Sequence, residues 1–372
     1  MQTRAAIIRE APGKFEVVDI ELDEPRKNEL LVRMVAAGMC HSDDHMRTAD
    51  TVIDHYPMVM GHEGAGIVEA VGPDTEGWSV GDRVVFCYLP SCGKCRWCAE
   101  GMTNLCDLGA TMLLGSRFSD PTSFRLRLPD GTEVGQNCGL GTLSERTVVS
   151  VDSAIKVPDD LELETICLLG CGVGTGWGSA VYLADVKPGD ATIVMGTGGV
   201  GINAVQGAAH AGANYLVAVD PVELKRETAL RLGATHAFAD MNEAREFVNS
   251  VTNGQGADNT IVTVGVVHGD TIAEGFASVR KGGTVVVTGI TPTNEVGIPI
   301  SPFELTVMQK RIQGSMFGGC NPRADIPRQM QMYRTGLLEL DSLVTAKYSL
   351  DDVNQGYDDM LAGKNIRGIV VF

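Results

Sequence analysis

The sequence predicts an α/β protein of two domains: an antiparallel, barrel-like domain joined to a doubly wound parallel sheet. Three observations carry this. Residues 1–35 read as short strands, Ala5–Ile8, Phe15–Ile20 and Leu30–Val35, separated by turns rich in Pro and Gly. From Ala191 apolar strands alternate with helical segments, the pattern of a parallel sheet covered on both faces. The strands predicted there are Ala191–Met195, Tyr215–Val219, Thr235–Ala239, Asn259–Val264 and Thr284–Thr288. Finally, 372 residues exceed one ordinary domain and suit two.

The remaining elements follow in order. Gly61-His62-Glu63-Gly64 leads a strand at Ala65–Val71, and Val84–Tyr88 forms another that ends at a cysteine cluster. Residues 107–141, rich in Gly, Asp, Ser and Pro, read as a long irregular excursion of the kind that often lines sites. An amphipathic helix is expected from Trp177 to Val186, stopped by Pro188-Gly189. Helices are also expected at Ile202–Ala211 and at Val222–Leu232, the latter with Pro221 in its first turn. After about Gly318, a helix around Ile326–Arg334 and a closing strand Gly368–Phe372 return to the first domain.

Composition narrows the function. Hydrophobic residues make up 44% and charged residues 21%, enough apolar mass for a sizeable core. A formal charge of −17 repels phosphate backbones and anionic lipid, which argues against nucleic-acid and membrane partners. No run of 18 uninterrupted apolar residues suggests a membrane span, and MQTRAAIIRE lacks the apolar core of an export signal. The expectation is a cytoplasmic protein, in which clustered cysteines point to metal ahead of disulfides.

Four of the ten cysteines follow the spacing Cys92-x2-Cys95-x2-Cys98-x7-Cys106. Four thiolates so spaced can surround one zinc and leave no open position, as in a structural site; a disulfide knot is the alternative. Cys40, His62 and Cys171 lie far apart, and each alone reads as a core residue. Together they supply three ligands and leave the fourth position that catalytic zinc requires. Asp43 could orient His62 from behind, and Glu63 could approach the metal. Ser42 and a surface His45 offer a proton route to solvent, or simply a polar loop.

A dinucleotide turn is the second constellation. Gly196-Thr197-Gly198-Gly199-Val200-Gly201 follows an apolar strand and opens a helix, where glycines allow pyrophosphate to approach the helix N-terminus. Asp220 ends the next strand, where a carboxylate accepts ribose hydroxyls and repels a 2′-phosphate, favouring NAD; the alternative is a helix cap. Lys225 would back up the ribose contact, and Val264 is placed against the cofactor. Trp177 and the methionines read as core packing.

Cys40-His41-Ser42-Asp43-Asp44-His45, Gly61-His62-Glu63-Gly64, the four-cysteine lobe, Gly170–Ala180, GTGGVG with Asp220, and Ile366-Arg367 all fit one template. The chain resembles the zinc-containing medium-chain alcohol dehydrogenases, in the long form typified by liver and glutathione-dependent formaldehyde dehydrogenases. The resemblance covers essentially the whole length. It implies a GroES-like β-barrel catalytic domain, residues 1–172 and 318–372, and a Rossmann NAD-binding domain, residues 173–317. It implies two zinc ions and NAD, with a small-molecule alcohol as substrate. Thr175 would lie near the nicotinamide, and His41 and Arg367 near the pyrophosphate. A homodimer would pair near Val296–Ile300. Tyr88, Thr175, Phe317 and the 107–141 excursion would shape the pocket.

Two departures qualify the template. His41 stands where the liver enzymes often carry arginine, and Asp107–Ser116 holds no counterpart to the arginine that recognises glutathione. Within the family the chain looks most like actinobacterial enzymes that depend on a nitrosoaniline dye, which implies retained NAD and an external electron acceptor. The rivals are a non-catalytic nucleotide-binding relative, which would lack the three catalytic ligands, and an NADPH-linked aldehyde reductase, against which Asp220 argues.

Overall fold

The computed structural model describes residues 1–372. The chain divides into two units, one formed by residues 1–171, 321–335 and 340–372, the other by residues 172–320 and 336–339.

The first unit is built on two β layers. Its strands are β1 (Gln2–Ile8), β2 (Glu16–Leu22), β3 (Glu29–Gly38), β4 (Met58–Val59), β5 (Glu63–Val71), β6 (Arg83–Phe86), β7 (Leu126–Arg127), β8 (Glu133–Gln136), β9 (Arg146–Ser150) and β10 (Ala154–Lys156). Short helices α1 (His41–Thr48), α2 (Arg96–Ala99) and α3 (Leu163–Ile166) interrupt them. Strands β1, β2, β7, β8 and β4 close a barrel. Pairing is mostly antiparallel, as expected, except that β4 and β8 run parallel.

The excursion at 107–141 is therefore not wholly irregular, because β7 and β8 complete the barrel wall. Strands of two and four residues are too short to show a period of two. Their anchor is ionic. Arg117 and Arg125, 0% and 1% exposed, converge on the buried Glu29. Arg125 Nε donates to Glu29 Oε1 at 2.9 Å and its Nη1 to Gln136 Oε1 at 3.0 Å. Arg117 also reaches Asp23 at 2.9 Å. Burial alone would raise the Glu29 carboxyl, but Arg125, the Arg26 amide and Arg117 hold it below its ordinary range. Burial pushes Arg125 down to about 10.

The second unit begins with α4 (Gly172–Gly178), which passes into a π turn at Ser179–Leu183. Every residue of α4 is buried, so the helical segment starts five residues earlier than Trp177 as a core helix, and the expected mixed face shows only in the π turn, where Tyr182 is exposed. There follow β11 (Ala191–Met195), α5 (Gly201–Ala211), β12 (Tyr215–Val219), α6 (Glu223–Arg231), β13 (His236–Phe238), α7 (Met241–Val251), β14 (Ala257–Val262), α8 (Gly269–Ser278), β15 (Val279–Val287), α9 (Pro302–Val307) and β16 (Arg311–Gly314). The sheet is parallel, in the order β13-β12-β11-β14-β15-β16. β11 is buried at every position, as a strand covered on both faces must be. Strand order reverses between β11 and β14, which marks the crevice at their carboxyl ends as the binding position.

Three details could not be read beforehand. The edge strand β16, Arg-Ile-Gln-Gly, is too short and polar to be read from sequence. Pro221 precedes the N-cap Val222 and so lies outside the first turn of α6. Val296–Ile300 belongs to no strand, and Val296 is 94% exposed.

The chain then re-enters the first unit as α10 (Pro322–Arg334), β17 (Val344–Tyr348), α11 (Val353–Leu361) and β18 (Arg367–Val371). These complete a sheet ordered β10-β6-β5-β3-β18-β17, with β9 also paired to β3. No single helix is long and apolar enough to cross a membrane.

Removing Glu29 would leave buried Arg125 without a counter-charge and Arg117 with Asp23 alone. Glu29→Ala is expected to cost about 3–5 kcal/mol, read as a lower urea midpoint at unchanged slope. Because the folded carboxyl titrates below its unfolded value, the gap to wild type is full above the ordinary carboxylate range and closes as pH falls through the lowered one.

Candidate active site

The polar centre of the first unit gathers four residues from three segments. Cys40 caps the start of α1, His62 immediately precedes β5, which Glu63 opens, and Cys171 ends the 3-10 turn Cys167–Gly170. One ligand atom from each of Cys40, His62, Glu63 and Cys171 lies within 4.8 Å of the other three, and all four residues are buried. His62 Nε2 is buried with no hydrogen-bond partner. Such an atom costs free energy unless something coordinates it, and a soft, borderline cation does so with an N/S donor set. Metal-free, the Cys40 thiol is held well below its usual range by a hydrogen bond to Cys171, helped by His62. The pair thus holds a thiolate ready for a cation, and binding would displace the remaining proton.

Behind the ring, Asp43 does the orienting. Its Oδ2 lies 3.1 Å from His62 Nδ1, an ion-pair contact whose angle falls short of a hydrogen bond. Its Oδ1 accepts from Gly61 N at 2.9 Å and from Asn137 Nδ2 at 2.8 Å. Burial lowers the His62 titration, but Asp43 and the Cys40 thiolate outweigh it and carry the metal-free imidazole well above its ordinary range. Asn137 was not readable from sequence, since it sits in a turn at the end of the excursion.

Glu63 is fully buried and pairs with Arg367 of β18. Burial pushes its carboxyl up to about 7 against the pull of Arg367. Gly38 makes the space: a Cβ there would lie 2.1 Å from Glu63 Oε2 and 3.1 Å from Arg367 Nη2. Arg367, expected beside a pyrophosphate, is thus 4% exposed, and its guanidinium is engaged by Glu63 and by Met39 O.

Ser42 Oγ lies 3.6 Å from Cys40 Sγ. His45 corrects an expectation: it is 2% exposed, not a surface residue, because α1 packs it inward. Its Nδ1 faces Asp50 Oδ2 at 3.2 Å. His41, the first residue of α1, is half-buried. Tyr88 meets His62 edge-on, with ring centroids 5.8 Å apart.

The four-cysteine lobe forms a second cluster. Cys92 and Cys98 sulfurs lie 4.0 Å apart, Cys95 and Cys106 sulfurs 3.9 Å. Tetrahedral zinc–sulfur bonds of about 2.3 Å require sulfurs roughly 3.8 Å apart, whereas a disulfide would need about 2.05 Å. All four remain free thiols. Backbone N–H groups of Cys92, Lys94 and Cys95 donate to lobe sulfurs at 3.3–3.4 Å. A backbone hydrogen bond from Asp107, with others, pulls the Cys95 thiol to about 7.

In the second unit, the glycine turn follows β11. Gly196 has φ +88°, and a Cβ there would meet Val264 backbone atoms at 2.8 Å. Val264 therefore acts as the wall behind the turn. Thr263, unread in the sequence, donates its hydroxyl to Gly196 O at 2.5 Å. Gly198, Gly199 and Val200 lead into Gly201, where α5 starts without a side-chain cap. Asp220 is 4% exposed; Oδ2 accepts from Thr197 N at 2.8 Å and Oδ1 from Val222 N at 3.0 Å. The carboxylate thus ties the turn to the start of α6 and keeps lone pairs for further donors. Lys225 Nζ lies 3.9 Å from where a Gly198 Cβ would stand. Thr175 is buried in α4, and its carbonyl accepts from Ser179 Oγ at 2.7 Å. Phe317 and Trp177 are buried, Trp177 against His210.

Similarity to known proteins agrees with this geometry. Residues 26–159 match the alcohol dehydrogenase GroES-like domain, and residues 199–335 match the zinc-binding dehydrogenase family. The chain is 48% identical over 371 residues to the NDMA-dependent alcohol dehydrogenase of Amycolatopsis methanolica, covering 100% of this chain and 99% of that one. An alcohol dehydrogenase zinc-binding domain protein from Burkholderia ambifaria superposes with a TM-score of 0.90 at 31% identity, covering 100% and 99%. Benzyl alcohol dehydrogenase from Acinetobacter calcoaceticus does so with 0.88 at 28%, with the same coverage. With both family models in chain order and a relative matched end to end, the chain belongs to the zinc-containing medium-chain alcohol dehydrogenases, oxidoreductases that use zinc and a nucleotide cofactor on small-molecule substrates.

Proposed function

We propose that the protein oxidises an alcohol to an aldehyde or ketone with one catalytic zinc on Cys40, His62 and Cys171, one structural zinc on Cys92, Cys95, Cys98 and Cys106, and NAD as hydride acceptor. The observation that carries this is the buried Cys40–His62–Cys171 donor set with Asp43 behind the histidine. Bound there, zinc supplies Lewis acidity that eases loss of the alcohol proton, while the nicotinamide accepts the hydride.

The chain supplies the rest. Cys40 and Cys171 offer the thiolate charge, and Asp43 fixes the ring of His62 so that Nε2 faces the sulfurs. Ser42, beside Cys40, receives the alcohol proton, and His45 takes it onward. Glu63, neutralised by Arg367 and with a carboxyl near 7, stands within reach of the ligand atoms as an alternate donor. Asp220 selects NAD over NADP through its negative charge. A non-catalytic relative would not need this complete donor set. Val296, Phe303 and Val307, 94%, 75% and 51% exposed, support an apolar contact with a second copy.

Dependence on NDMA, named for the 48% relative, fits NAD that stays in place and is reoxidised by a second small molecule acting as electron acceptor. Retention would need a dissociation constant near nanomolar, or about 12 kcal/mol.

Three measurements test these readings. Cys171→Ser is expected to lose one zinc per chain and more than about 100-fold of turnover at a nearly unchanged Tm. Cys92→Ser should lose the other zinc and lower Tm, since a closed thiolate site contributes folding energy. Equal Tm losses from both would overturn the division of roles. Asp220→Gly should shift the NAD-to-NADP binding ratio toward NADP by roughly tenfold, or 1.4 kcal/mol; an unchanged ratio would leave Asp220 a structural tie between turn and helix. Protein purified without added cofactor, then denatured, should release near-stoichiometric NAD, whereas an empty protein active only with added NAD would place it among exchanging dehydrogenases.

A further inference from the structure

The relay histidine has a partner of its own. Helix α1 ends at Ala49, whose φ of 71° turns the chain back, and Thr51 N bonds His45 O at 2.9 Å. This reversal brings Asp50 onto the His45 face, with Oδ2 3.2 Å from Nδ1. Thr48 Oγ1 lies 2.9 Å from the same carboxylate oxygen and 3.0 Å from Asp44 O, so its one proton is shared between them. The His45 side chain is 3% exposed and that of Asp50 34%. The ring is thus enclosed, and its carboxylate partner stands at the edge of water.

Helix stability does not account for a carboxylate here. The C-terminal end of a helix carries partial negative charge and favours cations, so Asp50 sits at the end where its charge is unfavourable. An interaction with His45 offsets that cost. A carboxylate accepts hydrogen bonds and cannot donate, so the nitrogen facing it carries hydrogen. The neutral ring is then the Nδ1–H tautomer, and Nε2 is left as the basic nitrogen.

We propose that Asp50, steadied by Thr48, is a positioning residue for the alcohol dehydrogenase reaction: it sets the tautomer of His45 and balances the imidazolium formed when Nε2 takes up the alcohol proton. The role rests on the Ser42–His45 relay described above. Asp50 acts through His45 and contacts neither alcohol nor cofactor in this account.

The test uses cofactor-loaded holoenzyme and the single-turnover rate of NADH formation on mixing with alcohol. In Asp50→Asn the amide can donate to Nδ1, which favours the Nε2–H tautomer and removes the basic nitrogen. The rate should fall roughly tenfold, short of the hundredfold typical when a general base is deleted, because the ring remains. Added imidazole should recover much of the loss, Asp50→Glu should restore most of it, and Tm and NADH affinity should match wild type. An unchanged Asp50→Asn rate overturns the proposal. So does a loss that imidazole leaves untouched and that tracks lower Tm and weaker NADH binding, since Asp50 would then only shape the end of α1. His45→Gln separates the two levels of the argument. If it is slowed and Asp50→Asn is not, the Asp50 role alone fails; if it reacts at the wild-type rate, the relay fails and the Asp50 role with it. Should Asp50→Asn not fold, Thr48→Val removes only the hydroxyl, and a smaller loss rescued by imidazole is expected; no rescuable loss would count against the role.

Discussion

The buried carboxylate of Asp43 holds the first unit's centre together. Fully enclosed, it must find donors or cost several kcal/mol. It finds them on α1's own neighbours in space, Gly61 N ahead of β5 and Asn137 at the end of the excursion, and its other oxygen makes an ion-pair contact with the His62 ring. Three chain segments separated by up to 94 residues are thereby registered on one oxygen pair. The metal-competent histidine is the last of these partners, so its orientation follows from a network whose other members are structural.

A second buried pair shows how the same low-polarity surroundings are used differently. Glu63 meets Arg367 in a space that only glycine at position 38 leaves open. Desolvation outweighs the attraction and raises the carboxyl to about 7, whereas Asp43 anchors two donors through Oδ1. Two acidic groups beside one cluster therefore differ in availability. Asp43 is held by backbone and amide donors, and Glu63 pairs with a long side chain that can be traded for another partner.

What could be read in the sequence was what chemistry demands of particular residue types at particular spacings. Four closely spaced thiols, a Gly-x-Gly-x-x-Gly after an apolar strand, and an aspartate at the end of the following strand keep their meaning without coordinates. Asn137, Thr263 and Asp50 were invisible because a single polar residue acquires its partner only when the backbone turns, at a 3-10 turn, a strand end and a left-handed helix terminus respectively. His45 was misjudged for a related reason: a polar residue on a short polar helix reads as exposed, and only packing shows otherwise. The barrel strands β7 and β8 escaped because two and four residues are too few to show the alternation that marks a strand.

The position of β18 has a consequence for how the chain acquires its structure during synthesis. This strand, residues 367–371, lies between β3 and β17, inside the sheet and not at its margin. The nucleotide unit is nearly one continuous stretch, residues 172–320 with only 336–339 added, and all of its strands have emerged before β17 and β18 exist. The half of the protein translated first is accordingly completed last. Until Arg367 arrives, β3 keeps an open edge at Ala36–Gly38 and Glu63 has no counter-charge, so the nascent first unit must wait, incomplete and sticky, while the second unit folds from contiguous sequence.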